Sequence, residues 1–211
     1  SLEVINVNVT SSSKTNLTTE NLTANYTLQN ESTQGIIDWR LNGSSIAILN
    51  MPFEKVNDAT LNATKDYSMF GNDGSEQGGV IWNATGGYDG QGAYLFDGVN
   101  DYIDAGFSID QSSGSVLTMC AWANPNTASG GDGDLLSTDN GGFDWAIDLS
   151  NADWRIADGS TYRDTGQDIS LNAWQHVCAV FSTDNVQFYV NGSLKYSLGS
   201  APGYDTGTNN L

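Results

Sequence analysis

Residues Gly92 to Gly106 read GAYLFDGVNDYIDAG. Two short runs alternate apolar with polar side chains, and the Asp97-Gly98 pair between them is a turn signal, so the stretch predicts a β-hairpin. The same pattern recurs outward along the chain. VLTMCAWANP from Val116 predicts a buried strand ended by Pro125, and DLLSTDNGGFDWAIDLS from Asp134 predicts strand, turn and strand. WRIAD, NAWQHVCAVF and VQFYVNGSLKYSL follow, the last with an Asn191-Gly192 turn, the strongest short hairpin signal. No stretch supports a helix of three turns. The chain therefore predicts an all-β, antiparallel β-sandwich.

Upstream, VINVNVT (Val4 to Thr10) and LTANYTL (Leu22 to Leu28) alternate as half-exposed strands, and IIDWRL (Ile36 to Leu41) meets Asn42-Gly43 before SIAILNM begins at Ser45. Too few strands precede Met51 to close two sheets. The passage from Phe53 to Ser75 predicts a long loop with at most a short strand at its start, and GGVIW (Gly78 to Trp82) predicts another strand.

Charge excludes some partners. Seven Lys and Arg oppose 25 Asp and Glu, and the net charge of −18 argues against nucleic-acid phosphate and against anionic membrane surfaces. No run reaches the roughly 18 apolar residues of a membrane span. Asn-X-Ser/Thr sequons begin at Asn8, Asn16, Asn21, Asn25, Asn30, Asn42, Asn62, Asn83 and Asn191, which predicts N-linked glycans on an extracellular or cell-surface chain. The two cysteines, Cys120 and Cys178, lie within strand-like runs; an even count in a chain with other extracellular marks favours a disulfide over two buried thiols.

Taken in order, FDGVNDYID, LTMCAWANP, WQHVCAVF and VQFYVNGSL resemble the laminin-G-like, concanavalin A-like jelly roll of the pentraxin-related kind, over about Ile46 to Leu211. The strand bearing Trp39 resembles part of an immunoglobulin-like sandwich, an arrangement similar to that of large repeat-containing microbial surface proteins. The expected organisation is thus a partial immunoglobulin-like or strand-rich arm over residues 1–45 and a jelly roll over 46–211. The family's closing strand pair is missing from this stretch, which implies either a fragment or a strand supplied by another copy. The resemblance further implies a Cys120–Cys178 disulfide between two strands. It also implies a calcium site at Asp139 and Asn140, in the turn that supplies ligands in calcium-binding members; Asp97, Asp101, Asp132 and Asp134 are alternative oxygen donors.

Glycosidases share the jelly roll, but they need two carboxylates at catalytic separation on one sheet face. Glu3, Glu20, Glu31, Glu54 and Glu76 fall outside the central strands, while Asp144 and Asp148 share a parity that equally suits a solvent face. His176, the only histidine, sits where the family keeps a structural one. The reading is a non-enzymatic extracellular glycoprotein module for surface adhesion or self-assembly, whose partners are other copies of itself, other surface proteins or glycans. The alternative is a lectin-like carbohydrate-binding module with Trp145, Trp154, Tyr162 and Tyr204 as stacking platforms, and more distantly a glycoside hydrolase.

Overall fold

The computed structural model describes residues 3–13, 21–29, 35–54, 63–109, 115–127, 133–138 and 145–203. None of them is helical, and every strand pair is antiparallel. The chain divides into two compact units, Ser1–Ala47 and Ile48–Leu211.

In the first unit, β1 (Glu3–Ser11) pairs with β2 (Leu22–Gln29), with a register shift between Ile5 and Asn8 where Asn6 takes a φ of +54°. The bulge lets the ladder continue past one irregular residue. Where IIDWRL predicts a six-residue strand, only β3 (Arg40–Leu41) forms, paired with β4 (Ser44–Ser45) across the Asn42-Gly43 turn. One further main-chain bond, from Ile46 N to Trp39 O at 2.9 Å, extends the hairpin, and the Asp38 Oδ2 accepts from both Arg40 Nε and Ser45 Oγ at 2.7 Å beside it. The unit is strand-rich, built of two separate two-stranded ladders among its described residues.

The second unit contains β5 (Ala63–Thr64), β6 (Gly74–Gln77), β7 (Ile81–Asn83), β8 (Ala93–Leu95), β9 (Tyr102–Asp104), β10 (Leu117–Ala123), β11 (Gly133–Ser137), β12 (Trp145–Ser150), β13 (Asp153–Asp158), β14 (Tyr162–Asp168), β15 (Gln175–Phe181), β16 (Val186–Val190) and β17 (Ser193–Ser197). Two four-stranded sheets, ordered β10-β15-β16-β17 and β11-β12-β13-β14, supply the core. Smaller ladders β5-β6-β9 and β7-β8 accompany them.

The expected hairpin over Gly92 to Gly106 does not form. β8 pairs with β7 and β9 with β6, so the two halves enter different ladders. The connection is too long for a two-residue turn, and its aspartates fold it into a loop: Asp97 Oδ1 accepts from Val99 N at 2.8 Å, and Asp101 Oδ2 from Asp97 N at 2.9 Å. Gly78, with φ +76°, lets this loop pass; a Cβ there would lie 2.1 Å from the Asn100 carbonyl oxygen.

The core lies between the two large sheets. Alternate residues of one sheet (Met119, Val177, Ala179, Phe181, Val186, Phe188, Val190) meet Trp145, Ile147, Trp154 and Ile156 of the other, all buried. Trp145 stacks on Phe181 with centroids 4.8 Å apart, and its indole N–H reaches the Gly203 carbonyl at 3.0 Å. Trp154 donates to buried Gln175 Oε1 at 3.2 Å, and Gln175 in turn bonds to the Ser170 backbone, so the polar atoms brought into the core are satisfied.

A second organising centre is Asp66, 2% exposed. Its carboxylate accepts from the N–H groups of Asn50, Ser68 and Asn72 at 2.8–2.9 Å and from the Ser68 hydroxyl at 2.6 Å. Burial works against the charge, but the Ser68 hydroxyl and these N–H groups outweigh it and hold the pKa below the ordinary 3.8. A lowered carboxyl pKa stabilises the fold above the unfolded-state value, and the contribution is lost as pH falls through the folded-state value. Asp66→Asn is therefore expected to cost about 2 kcal/mol at neutral pH, from the hydrogen bonds to a charged group that it removes. The difference from wild type should shrink below the ordinary value of 3.8. Urea unfolding at neutral and acid pH checks this, and a pH-independent difference would refute the assigned role.

Candidate functional site

The outer face of the β10-β15-β16-β17 sheet carries the chemistry the core does not use. In β10 the even-numbered residues Thr118, Cys120 and Trp122 face outward, and in β15 so do His176, Cys178 and Val180, each opposite a partner in register: Cys120 with Cys178, Trp122 with His176. Cys120 and Cys178 are disulfide-bonded, with Cα atoms 4.1 Å apart. Two pairs along the ladder, and so on the same face, the Trp122 and His176 rings lie 5.2 Å apart at 51°.

Tyr88 completes the aromatic group. It stacks on Trp122 with centroids 3.7 Å apart and planes 12° from parallel, although both rings stay largely exposed, at 59% and 43%. Tyr88 reaches Trp122 because the glycine-rich β7–β8 connection folds tightly. Gly87 N donates to Gln91 O at 2.8 Å and Gly90 N to Gly87 O at 3.0 Å, while Asp89 Oδ1 accepts from Gln91 N at 3.0 Å. Tyr88, Trp122, Trp174, His176 and Asn191 line an open recess of about 480 Å³. Trp174 enters it from the residue before β15, and Asn191 from the β16–β17 turn, where its Oδ1 accepts the His176 N–H at 3.0 Å. Flat, exposed π-faces beside hydrogen-bonding side chains suit a ligand with one apolar face and a polar rim.

The stacking residues expected from the sequence lie elsewhere. Trp145 and Trp154 are fully buried in the core, because their parity on β12 and β13 is the inward one. Tyr162 is half-buried beneath the Arg155 guanidinium, 4.7 Å from its ring centre, and Tyr204 lies outside the described residues. Trp122, Trp174 and Tyr88 are the residues that sequence reasoning passed over. For Trp122 the signal was present: it is two residues from Cys120, hence on the same strand face.

Asp139 and Asn140, expected to hold calcium, lie outside the described residues, as do Asp132 and Asp144. The alternative donors Asp97 and Asp101 spend carboxylate oxygens on the N–H groups of their own loop, and Asp134 stands opposite Asp148 in the β11-β12 ladder. Asp148 is not a solvent-face residue. It is fully buried and accepts from Arg155 Nε at 2.6 Å and from Gly133 N at 3.1 Å. Asp158, also buried, accepts from Arg163, Ser160 and Thr161; burial opposes its charge, yet the Ser160 hydroxyl and the Arg163 guanidinium lead the bonds that lower its pKa. Each carboxylate pairs with an arginine of the neighbouring strand, Asp148 with Arg155 and Asp158 with Arg163, and so ties two strands together.

Ligand atoms of Cys120, His176 and Cys178 lie within 4.8 Å of one another. With the two sulfurs joined, the group has no thiolate to give a metal. Of the sequon asparagines, Asn8, Asn21, Asn25, Asn42, Asn83 and Asn191 are exposed, and Asn16, Asn30 and Asn62 lie outside the described residues.

A family model described as laminin G-type, of the concanavalin A-like lectin/glucanases superfamily, matches residues 97–211. No curated protein sequence matches the chain. Among solved structures, it is similar to domain 4 of AbnA, an extracellular GH43 arabinanase from Geobacillus stearothermophilus, determined in complex with arabinotriose. The identity is 20%, the TM-score 0.46, and the likeness covers 64% of this chain and 66% of that one, just under two thirds of its length.

Proposed function

The chain belongs to the concanavalin A-like lectin/glucanases superfamily, and from that premise we propose that it is a non-catalytic module that binds neutral saccharides on the outer face of the β10-β15-β16-β17 sheet. The observation that carries the reading is the exposed Tyr88–Trp122 stack beside Trp174, His176 and Asn191. A pyranose or furanose presents a C–H face to such rings and its hydroxyls to the rim. The net charge of −18 disfavours acidic polysaccharides and favours neutral ones. The described residues that line the recess offer aromatic rings, an imidazole and a carboxamide, groups that stack on a sugar and hydrogen-bond to it. An extracellular setting is supported by the exposed sequons and by the disulfide. In that setting the module serves adhesion, holding glycan-bearing surfaces, other copies of the chain among them.

Calorimetry against a panel of neutral oligosaccharides tests the proposal. Wild type is expected to bind at least one of them, and Trp122→Ala to bind it about 30-fold more weakly, the loss of roughly 2 kcal/mol typical of a central aromatic contact. Thermal stability should change little, because the Trp122 ring lies outside the core. Undiminished binding by Trp122→Ala, or no binding by wild type made without N-glycans, would refute the site and with it the adhesive role.

A further inference from the structure

Asn191 opens the sequon Asn191-Gly192-Ser193 and also lines the aromatic recess. It is exposed in the two-residue turn between β16 and β17, where its φ is +50° and Gly192's is +75°. Its Oδ1 is tied to the His176 N–H at 3.0 Å, which orients the carboxamide and leaves Nδ2, the atom that glycosylation uses, as the other end.

We propose that Asn191 carries an N-linked glycan whose first sugars fold back onto Trp122 and Trp174, so that the modified protein fills its own recess and the unmodified protein offers it to a sugar from outside. In the attachment step, Nδ2 displaces the phosphate of a polyprenyl-phosphate-linked saccharide from the sugar's C1. The N–C1 bond forms, the C1–O bond to phosphate breaks, one amide proton is released, and nothing is oxidised or reduced. Tethering then decides occupancy. A short flexible link sets an effective concentration of order mM, so a sugar held at 100 μM affinity in solution is about 90% seated when attached. A recess of about 480 Å³ is the size of a small-ligand site. The gating half of the proposal rests on the saccharide-binding reading above; the seating half does not.

The test is secretion from a eukaryotic host, whose N-glycans begin with N-acetylglucosamine, alongside Ser193→Ala. That variant removes the sequon while keeping Asn191 and its bond to His176. Peptide mapping is expected to find the glycan on Asn191. NMR should show ring-current shifts on the sugar at Asn191 that are absent at Asn8 and Asn25 and lost in Trp122→Ala. Chitobiose should bind Ser193→Ala about tenfold or more tightly than the modified wild type, the competition that a mM effective concentration imposes. An unmodified Asn191, or an attached sugar with unshifted resonances, would overturn the proposal. Shifted resonances together with a Ser193→Ala protein that binds no member of the oligosaccharide panel would support the seating and refute saccharide binding from solution.

Discussion

Trp154→Ala is expected to lower the unfolding free energy by about 4 kcal/mol, within the range for deleting a fully buried aromatic side chain and leaving its space partly unfilled. Trp154 is fully buried between the sheets, with the Phe188 ring centre 6.3 Å away. Truncation also removes the indole donor to Gln175 Oε1, although Ser170 N still donates to that oxygen. Urea unfolding with the disulfide intact measures the change. A loss under about 1 kcal/mol, the scale of surface substitutions, would mean that the ring does not occupy the core. Set beside Trp122→Ala, the experiment separates two tryptophans of the same unit: one whose loss is read in stability and one whose loss is read in binding.

The double variant Cys120→Ala, Cys178→Ala is expected to lose a similar amount by a different route. The crosslink spans 58 residues, and closing a loop of that size restricts the unfolded chain by about 4 kcal/mol on the chain-entropy account. The seven-pair β10-β15 ladder keeps Trp122 opposite His176 without the bond, so saccharide affinity should change less than about threefold. Thermal unfolding and calorimetry on the same preparation check both halves. Unchanged stability would show that the bridge contributes nothing to the fold, and a collapse of affinity would show that it positions the recess.

What the sequence made legible follows from the range of the forces involved. β10, β15 and β16 were readable because each alternates strictly and buries one face, and the Asn191-Gly192 turn was readable because both residues take positive φ. The Cys120–Cys178 pair came from the resemblance, and its register carries Trp122 to His176. Partners at long range were not readable. WAID and WRIAD bury both parities, so alternation could not say that Trp145 and Trp154 face inward and Asp148 pairs with Arg155. The Gly92–Gly106 stretch has the local signature of a hairpin, but Asp97 and Asp101 turn its centre into a loop and send its two strands to separate ladders. Tyr88 meets Trp122 only through a folded glycine turn between strands of another ladder, a contact that no local periodicity encodes.

The strand β15 keeps two ledgers in one word: QHVCAVF commits Gln175, Val177, Ala179 and Phe181 to the interior and leaves His176, Cys178 and Val180 outside. Mutation can therefore rewrite the outer letters other than Cys178, which the disulfide holds, without touching the inner ones. A library varied at Thr118, Trp122, His176, Val180 and Tyr189 would sample new surfaces on an unchanged scaffold, and lineages descended from such a chain are free to trade one ligand for another at little cost to folding.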